Sequence, residues 1–554
     1  MRTWSEPQST TIPRPAYELP PSVSNSIRGS SDPVDRGTAR FYPRPENHPR
    51  VSLRTIVDVL RRVLAPGESL SERAVTSGVW VTITNVLDRF LQLVIVLFVA
   101  RIIGPDDYGV MALALVVMSG LTQLSRLGID AALIQREEAN VDAYLDTAWM
   151  MQNARGVLVA AILFLVAPFM ASPAVFDQPE LTPVLRVLAL SPLLSGLQNP
   201  GLLYLKKDLR FDKQFFYTIS GTVFYVLVAL GVAFVTQSVW ALVFGLVASD
   251  FVRLIASYIV DDYRPWPRFD LGHARELFGY GKWIFASGVV LFLIMEGDDA
   301  FVGWYLGAAV IGLYQLGYQI SNAPATEVTQ TISSVVFPTY AKMQNDERQL
   351  RDGFFKTVQL TTFVSFPVAV GIAAVAPTFV NTFLTEEWGP MVPLIQLLAA
   401  WGLLRSLGAT TGPLFQAIGR PEIATKIQFG KLVIIALLIY PATARYGAVG
   451  TALVIVGNSL VFSEPVSTYL AVRIVDGSYA ELLGLVAYPA VASAVMGLAV
   501  FGVHTAGIAT GVVEFCLLVV VGAAVYTVCV VAFEAFSGYD SIRLCRRMAE
   551  TMVS

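Results

Sequence analysis

Apolar stretches of roughly twenty residues recur from about residue 75 to the end of the chain, and each is long enough to cross a bilayer as an α-helix. Only 15% of the 554 residues are charged and 55% are hydrophobic, whereas a soluble domain carries about 25% charged residues. A soluble chain of this length would divide into several cores joined by polar linkers. The pattern therefore predicts an all-α, polytopic membrane protein.

We predict about fourteen membrane helices from these stretches. They lie near 75–103, 108–128, 144–171, 183–205, 214–236, 239–260, 278–302, 306–333, 357–378, 390–417, 423–442, 447–472, 482–503 and 512–535. Basic residues fall in alternate connections, and cytoplasmic connections retain positive charge. The basic connections contain, among others, Arg136, Lys207, Arg264, Lys342, Arg420 and Arg473. Both termini are therefore predicted to be cytoplasmic, in a multi-pass protein of the cell (plasma or inner) membrane.

The sequence predicts two membrane lobes between polar N- and C-terminal tails. Residues 1–72 are predicted to be a disordered cytoplasmic tail, because residues 1–50 are rich in Pro, Ser and Arg and have no apolar core. Within this tail, residues 51–64 form either an amphipathic helix on the membrane surface or a solvated linker. The predicted domains are an N-lobe at 73–260 (helices 1–6), a C-lobe at 261–473 (helices 7–12), helices 13 and 14 at 474–535, and a cytoplasmic tail at 536–554.

An internal repeat relates the two predicted lobes. The matching pairs are Gly78 with Gly281, Trp80 with Trp283, Gly104 with Gly307 and Gly109 with Gly312, each separated by 203 residues (307 − 104). Chance could produce four matches in a Gly-rich chain, but both copies are a long apolar helix followed by a Gly-x-x-x-x-Gly connection. Both copies also run in the same direction under the charge rule. We therefore predict two six-helix lobes in a parallel pseudo-two-fold repeat, with helices 13 and 14 outside it.

Polar stripes in these helices predict a hydrated cavity between the lobes. A charge at the bilayer centre costs about 2.5–3.5 kcal/mol, so polar side chains at helical spacing should face protein or water. The predicted cavity residues are Asn85, Asp88, Arg89 and Gln92 in the first helix, Gln123 and Arg126 in the second, Asn322 in the eighth and Arg405 in the tenth. The alternative for Asp88 and Arg89 is a purely structural ion pair.

Acidic residues inside the predicted bundle are candidates for ion coupling. They are Asp88, Glu296, Asp299 and Glu327. Helical spacing places Glu296 and Asp299 on one face and turns Asp298 elsewhere.

Several kinds of chemistry find no support in the sequence. The three cysteines and three histidines have no spacing that suits a disulfide framework or a metal site, and no phosphate-binding Gly-x-x-x-x-Gly-Lys-Ser/Thr loop occurs. No outward loop carries the clustered acids that a glycosyltransferase or glycan polymerase needs. We expect no cofactor, no metal and no enzymatic activity. The small net charge of -3 also gives no indication of a nucleic-acid partner.

Several segments resemble a known family. They are ARIIGPDDYGVMALALV (100–116), SRLGIDAALIQR (125–136), WYLGAAVIGLYQLGYQIS (304–321), VVFPTYAKMQND (335–346) and GRP (419–421). These resemble the polysaccharide-synthase family of lipid-linked oligosaccharide flippases, in the multidrug/oligosaccharidyl-lipid/polysaccharide exporter superfamily. The resemblance covers roughly residues 70–480.

The resemblance implies that the chain moves a polyprenyl-diphosphate-linked oligosaccharide, such as an exopolysaccharide or O-antigen precursor, from the cytoplasmic to the outer leaflet by alternating access. It implies that Arg89 lines the cavity. The implied partners are the lipid-linked oligosaccharide, membrane lipids and the polysaccharide polymerase or export machinery.

Three other interpretations stay open at this stage. The first is a cation-coupled drug or small-molecule exporter of the same superfamily with Asp88 as its ion site, although the several cavity arginines disfavour a cationic cargo. The second is a membrane-embedded glycan polymerase or ligase, which the missing outward catalytic loop disfavours. The third is a scaffold for a biosynthetic complex.

Overall fold

The computed structural model describes residues 70–125, 138–208, 210–272 and 292–537, with the side chains of 70–75, 138–143, 206, 323–335 and 536–537 outside that description. Every regular element in these ranges is helical. In chain order the helices are α1 (Leu70–Leu124), α2 (Glu138–Met170), α3 (Leu181–Leu188), α4 (Leu190–Gly196), α5 (Leu202–Lys207), α6 (Phe211–Thr236), α7 (Trp240–Val260), α8 (292–306), α9 (Ala308–Met343), α10 (Glu347–Phe383), α11 (Val392–Ala417), α12 (Glu422–Asn458), α13 (Glu464–Ile474), α14 (Tyr479–Thr505) and α15 (Gly511–Ser537).

Within the described ranges, eight helical stretches are long and apolar enough to cross a membrane. One of them, Glu422–Ile474, contains both predicted helices eleven and twelve, with a kink at Gly447. Predicted helices one and two form the two arms of α1, which bends at Gly104. The prediction of an all-α polytopic membrane protein is confirmed.

The bends at Gly104 and Gly307 show the internal repeat in the backbone. Gly104 has φ 71 and ψ 171, and Gly307, between α8 and α9, has φ 86 and ψ -179. Glycine adopts a positive φ readily because it has no Cβ, and other residues rarely do. Gly104 and Gly307, which are 203 residues apart, therefore make the same turn. This similarity supports the parallel two-lobe repeat.

The two lobes share apolar packing. One buried cluster runs from Val99 and Leu113 on α1 to Ile311 and Tyr314 on α9. In the N-lobe α6 packs along α7 and α1, and in the C-lobe α9 and α10 both pack on α11. Helix α1 also packs directly on α9, so the two lobes are in contact along these helices.

Helices α14 and α15 lie outside the repeat and dock on α10. The Tyr526 hydroxyl donates to the Phe363 carbonyl at 2.7 Å, and Arg351 forms an ion pair with Glu481 at 2.7 Å. Both contacts join the extra helices to the C-lobe.

Predicted helix four, 183–205, differs from the structure. It is divided into α3, α4 and α5, with a break between Gly196 and Leu202. Pro200 disfavours helical geometry at Asn199. Asn199 instead donates its side-chain amide to the backbone carbonyls of Asp261 and Tyr263.

Candidate functional site

Glycines of the repeat bring the two lobes into backbone contact at one end of the bundle. A Cβ on Gly109 would lie 1.8 Å from the Ala308 carbonyl oxygen, and one on Gly312 would lie 2.3 Å from the Pro105 carbonyl oxygen. Small residues allow membrane helices to approach this closely. The connections at 104–109 and 307–312 thus pack against each other across the pseudo-two-fold.

Polar contacts hold the same end closed. The Trp388 indole, fully buried, donates to the Ala100 carbonyl at 3.1 Å. Arg101 donates to the carbonyls of Thr382 and Phe383 at 3.3 and 3.2 Å. These bonds tie α1 of the N-lobe to the end of α10 and the turn before α11. This is the end that the charge rule predicts to be extracytoplasmic.

A polar cluster in the N-lobe centres on Asp88 and Arg89. Asp88 accepts hydrogen bonds from Gln92 Nε2 at 2.7 Å and from the Thr222 hydroxyl on α6 at 2.7 Å. Arg89 donates through Nη1 to Gln92 Oε1 at 2.9 Å. Gln92 therefore bridges the carboxylate and the guanidinium, as the shared helical face predicted. Thr222 was not predicted, because an isolated threonine in an apolar helix gives no sequence signal.

The other predicted N-lobe residues lie outside the hydrogen bonds that join Asp88, Arg89, Gln92 and Thr222. Asn85 is exposed and Gln123 is half-buried. Arg126 lies outside the described residues. Arg155 on α2 donates to the Ser125 hydroxyl and the Thr122 carbonyl, both at 3.1 Å, so it fixes the end of α1 that carries Gln123.

A second polar region is a cavity of about 490 Å³ inside the C-lobe. Its wall includes Arg405 and Trp401 from α11 and Lys431 from α12. The Arg405 guanidinium lies 5.0 Å from the Trp401 ring centroid and the Lys431 amine 5.6 Å from it, within cation–π distance. Arg405 also donates to the Tyr318 hydroxyl at 3.4 Å. Predicted Arg405 thus has a cationic neighbour that the sequence left unassigned.

Carboxylates balance these cations in the C-lobe cavity. Asp298 and Glu464 both line it. Asp298 accepts from the Tyr314 hydroxyl at 2.9 Å, and Glu464 follows a π-helical turn at Ser459–Ser463. Such turns are frequent at functional sites. The cavity wall therefore contains two basic and two acidic side chains together with one indole ring.

Two of the predicted ion-coupling acids, Glu296 and Asp299, are adjacent in sequence to residues of the cavity wall. Asp299 accepts from Gln315 at 3.0 Å, and Glu296 is half-buried. The helical-face argument turned Asp298 away, whereas the structure places Asp298 in the cavity wall. The side chain of Glu327 lies outside the described residues.

Predicted Asn322 is packed between α9 and α11. Its side chain is 2% exposed and donates to the Leu398 carbonyl at 3.5 Å. The sequence predicted Asn322 as a cavity residue, but it does not line the C-lobe cavity.

The helices and their apolar surfaces define a polytopic α-helical membrane protein. A solved structure of the lipid II flippase MurJ in an inward closed conformation has the same fold, with a TM-score of 0.63 at 14% identity over 83% of this chain and 98% of that chain. An inward-facing multidrug resistance MATE family transporter of the MOP superfamily has a TM-score of 0.58 at 14% identity, covering 70% of this chain and 94% of that chain.

The chain belongs to the polysaccharide biosynthesis protein family, whose model matches residues 98–393 and so more than half of the sequence. The lipopolysaccharide biosynthesis protein WzxC of Escherichia coli K12 is 28% identical over 391 residues, 70% of this chain and 78% of that protein. The succinoglycan biosynthesis transport protein ExoT of Rhizobium meliloti is 23% identical over 477 residues, 84% of this chain and 94% of that protein. The predicted family is confirmed.

Proposed function

We propose that this chain is a flippase that moves a polyprenyl-diphosphate-linked oligosaccharide from the cytoplasmic to the outer leaflet by alternating access. The observation that carries the proposal is the cluster of Arg89, Gln92 and Asp88 on a membrane helix of the N-lobe. A relative named for succinoglycan biosynthesis transport supports the same class of cargo.

The N-lobe cluster suits a diphosphate. A guanidinium pairs with phosphate oxygens through two parallel N–H bonds, which a lysine amine cannot reproduce. Arg89 lies fifteen residues before the bend at Gly104, or about 22 Å along the helix, which is within the roughly 30 Å thickness of the hydrocarbon core. The Asp88 carboxylate accepts hydrogen bonds from two neutral groups, Thr222 and Gln92. It is therefore stabilised by donors other than Arg89. In this proposal Arg89 contacts the diphosphate, and Gln92 orients the Arg89 guanidinium through their hydrogen bond.

The C-lobe cavity suits the sugars. The apolar face of a sugar ring packs on an aromatic ring such as that of Trp401, and side chains around the ring satisfy the hydroxyl groups. Arg405, Lys431, Asp298 and Glu464 offer both donors and acceptors there. Their charges balance, which fits a hydroxyl-rich ligand better than a second diphosphate.

The closed end supplies the gate. For cargo to leave, the backbone contacts of Gly109 with Ala308 and of Gly312 with Pro105 must separate. The lobes would then part at the predicted outer end and close at the predicted inner end. Residence in the cell membrane, cytoplasmic termini and transfer of the product to polymerase or export machinery complete the proposal. No catalytic step is included in it.

The second candidate is a cation-coupled exporter of small molecules. The carboxylates of Asp88 and Asp298 favour it, since each could take a cation or a proton. In that case Asp88 would be the coupling site and Arg89 would serve only to balance its charge. A variant series at these two residues separates the candidates.

The test is transport by the purified full chain in proteoliposomes that hold a labelled polyprenyl-diphosphate oligosaccharide. A charge-assisted hydrogen bond contributes roughly 1.5–3 kcal/mol, so Arg89→Ala should slow transport by about tenfold or more. Arg89→Lys should recover part of the rate. The exposed Arg445 gives the control, and Arg445→Ala should behave as the parent chain.

A double variant distinguishes cargo contact from charge balance. If Arg89 only balances Asp88, then Asp88→Asn combined with Arg89→Gln should transport at the full rate, measured at matched reconstitution. Our proposal predicts that the double variant stays as slow as Arg89→Ala. A fully active double variant would remove Arg89 from the cargo site.

A further inference from the structure

A groove on α12 and α13 combines an apolar wall with a basic rim. It has a volume of about 600 Å³. Its basic rim consists of Arg420, Lys426 and Arg473, and its apolar wall includes Phe462, Val466, Leu470 and Ile474. None of these lines the C-lobe cavity. We propose that this groove is a binding site for an anionic phospholipid, with the phosphate at the basic rim and one acyl chain along the apolar wall.

The apolar wall has the length and direction of an acyl chain. Val466, Leu470 and Ile474 follow one another at intervals of four residues and so share one face of α13. From Phe462 to Ile474 the chain advances twelve residues, which is about 18 Å of helix. Half of the hydrocarbon core of a bilayer is about 15 Å thick. The groove therefore spans about one leaflet.

Phe462 closes the deep end of the groove. A Cβ on Gly430 of α12 would lie 2.7 Å from the Phe462 ring, so the ring packs closely against α12 and would have to shift for a larger residue there. Phe462 belongs to the π-helical turn at Ser459–Ser463, which joins α12 to α13. The apolar wall of the groove consequently ends at the Phe462 ring.

The rim carries an excess of positive charge. Arg420, Lys426 and Arg473 are exposed, and the Arg420 Nε pairs with Glu422 at 3.4 Å. That pair is more than half exposed on the arginine side, and exposed pairs are weak. In the described part of the chain, no carboxylate lies within ion-pair distance of Lys426 or Arg473. Three cations and one carboxylate leave the rim with a surplus that complements a phosphate monoanion.

The position of the rim indicates that the ligand is a membrane lipid. Arg420 precedes α12 and Arg473 lies in the last turn of α13, at the end of the bundle that the charge rule predicts to be cytoplasmic. That leaflet carries the anionic phospholipids, which attract basic residues beside membrane helices. The basic rim with an apolar wall below it matches one such lipid molecule.

Native mass spectrometry of the full chain, purified in detergent with mixed phosphatidylglycerol and phosphatidylcholine, tests the proposal. We expect the protein to retain one phosphatidylglycerol, and Arg420→Gln, Lys426→Gln and Arg473→Gln together to weaken that binding at least tenfold. The matched control removes three exposed basic residues from the same end of the bundle, Lys342, Arg348 and Lys356, also by glutamine. Equal binding of phosphatidylglycerol by both triple variants would overturn the proposal, because basic residues anywhere at this end of the bundle would then attract the lipid equally.

A second variant tests the apolar wall with all charges kept. Leu470→Trp fills the groove and should release the lipid, with folding checked by the melting temperature. Retained phosphatidylglycerol in this variant would overturn the acyl-chain assignment. Displacement of the bound phospholipid by a stoichiometric amount of polyprenyl diphosphate would also overturn it, because the groove would then be an entry site for cargo. None of these outcomes depends on whether the chain transports a glycan.

Discussion

Replacing Gly109 by alanine should force the two lobes apart at the end where the structure holds them together. The added Cβ would lie 1.8 Å from the Ala308 carbonyl oxygen and 2.4 Å from its carbonyl carbon. Ordinary van der Waals contact begins at 3.4 Å, so the backbones must separate by about 1.6 Å. Both clashing atoms belong to the backbone, and no side-chain rotation can relieve the contact.

The size of the effect follows from the cost of overpacking. An extra methyl group in a tight contact costs about 1–3 kcal/mol, which shifts an equilibrium between closed and open ends by roughly 5- to 150-fold. Gly312→Ala should act in the same direction, because its Cβ would lie 2.3 Å from the Pro105 carbonyl oxygen. Gly231→Ala is the control, since a Cβ there meets nothing within 4 Å.

The assay is the rate of thiol labelling at a buried position between the lobes. Leu316 is fully buried in a cluster that joins α1, α9 and α10, so Leu316→Cys should react slowly in a chain whose native cysteines are replaced by serine. Adding Gly109→Ala should raise the labelling rate, whereas adding Gly231→Ala should not. Equal labelling in all three chains, with unchanged melting temperatures, would refute the role of the glycine contact in closure.

Three further predictions address stability and topology. Trp388→Phe removes a buried hydrogen bond and should cost about 0.5–1.5 kcal/mol, seen as a lower melting temperature in detergent that Trp304→Phe, at an exposed position, does not reproduce. An engineered cysteine near Glu386 should react with an impermeant reagent on intact cells, and one near Lys207 only after permeabilisation. Deleting residues 1–50 should leave a stable, membrane-inserted protein, because their composition cannot build a core.

The repeat was legible in the sequence because its turns need glycine. Gly104 and Gly307 adopt the same positive-φ turn, and Gly109 and Gly312 lie against the backbone of the opposite lobe. Positions that require glycine for steric reasons therefore recur in the sequence at the spacing of the repeat. The N-lobe cluster was equally accessible, since Asp88, Arg89 and Gln92 lie within two helical turns and need only helical periodicity.

The C-lobe cavity was harder to predict because it joins residues that are distant in sequence. Asp298 and Lys431 come from α8 and α12, and Glu464 enters through a π-helical turn that no simple pattern indicates. The rotation of α8 decides which of Asp298 and Asp299 faces the cavity, and a helix turns by about 100° per residue. The break in predicted helix four was signalled by Asn199-Pro200, but its apolar content suggested a continuous span.

Movement of a lipid-linked glycan between leaflets is tested most directly by reconstituting the purified chain in proteoliposomes with a labelled polyprenyl-diphosphate oligosaccharide. Accessibility of the label to an impermeant glycan-modifying reagent measures the rate, with a cationic drug tested in parallel. We expect the glycan lipid to cross at a rate well above that of protein-free vesicles and the drug not to cross. Cation-driven drug transport without movement of the glycan lipid would contradict the proposed function.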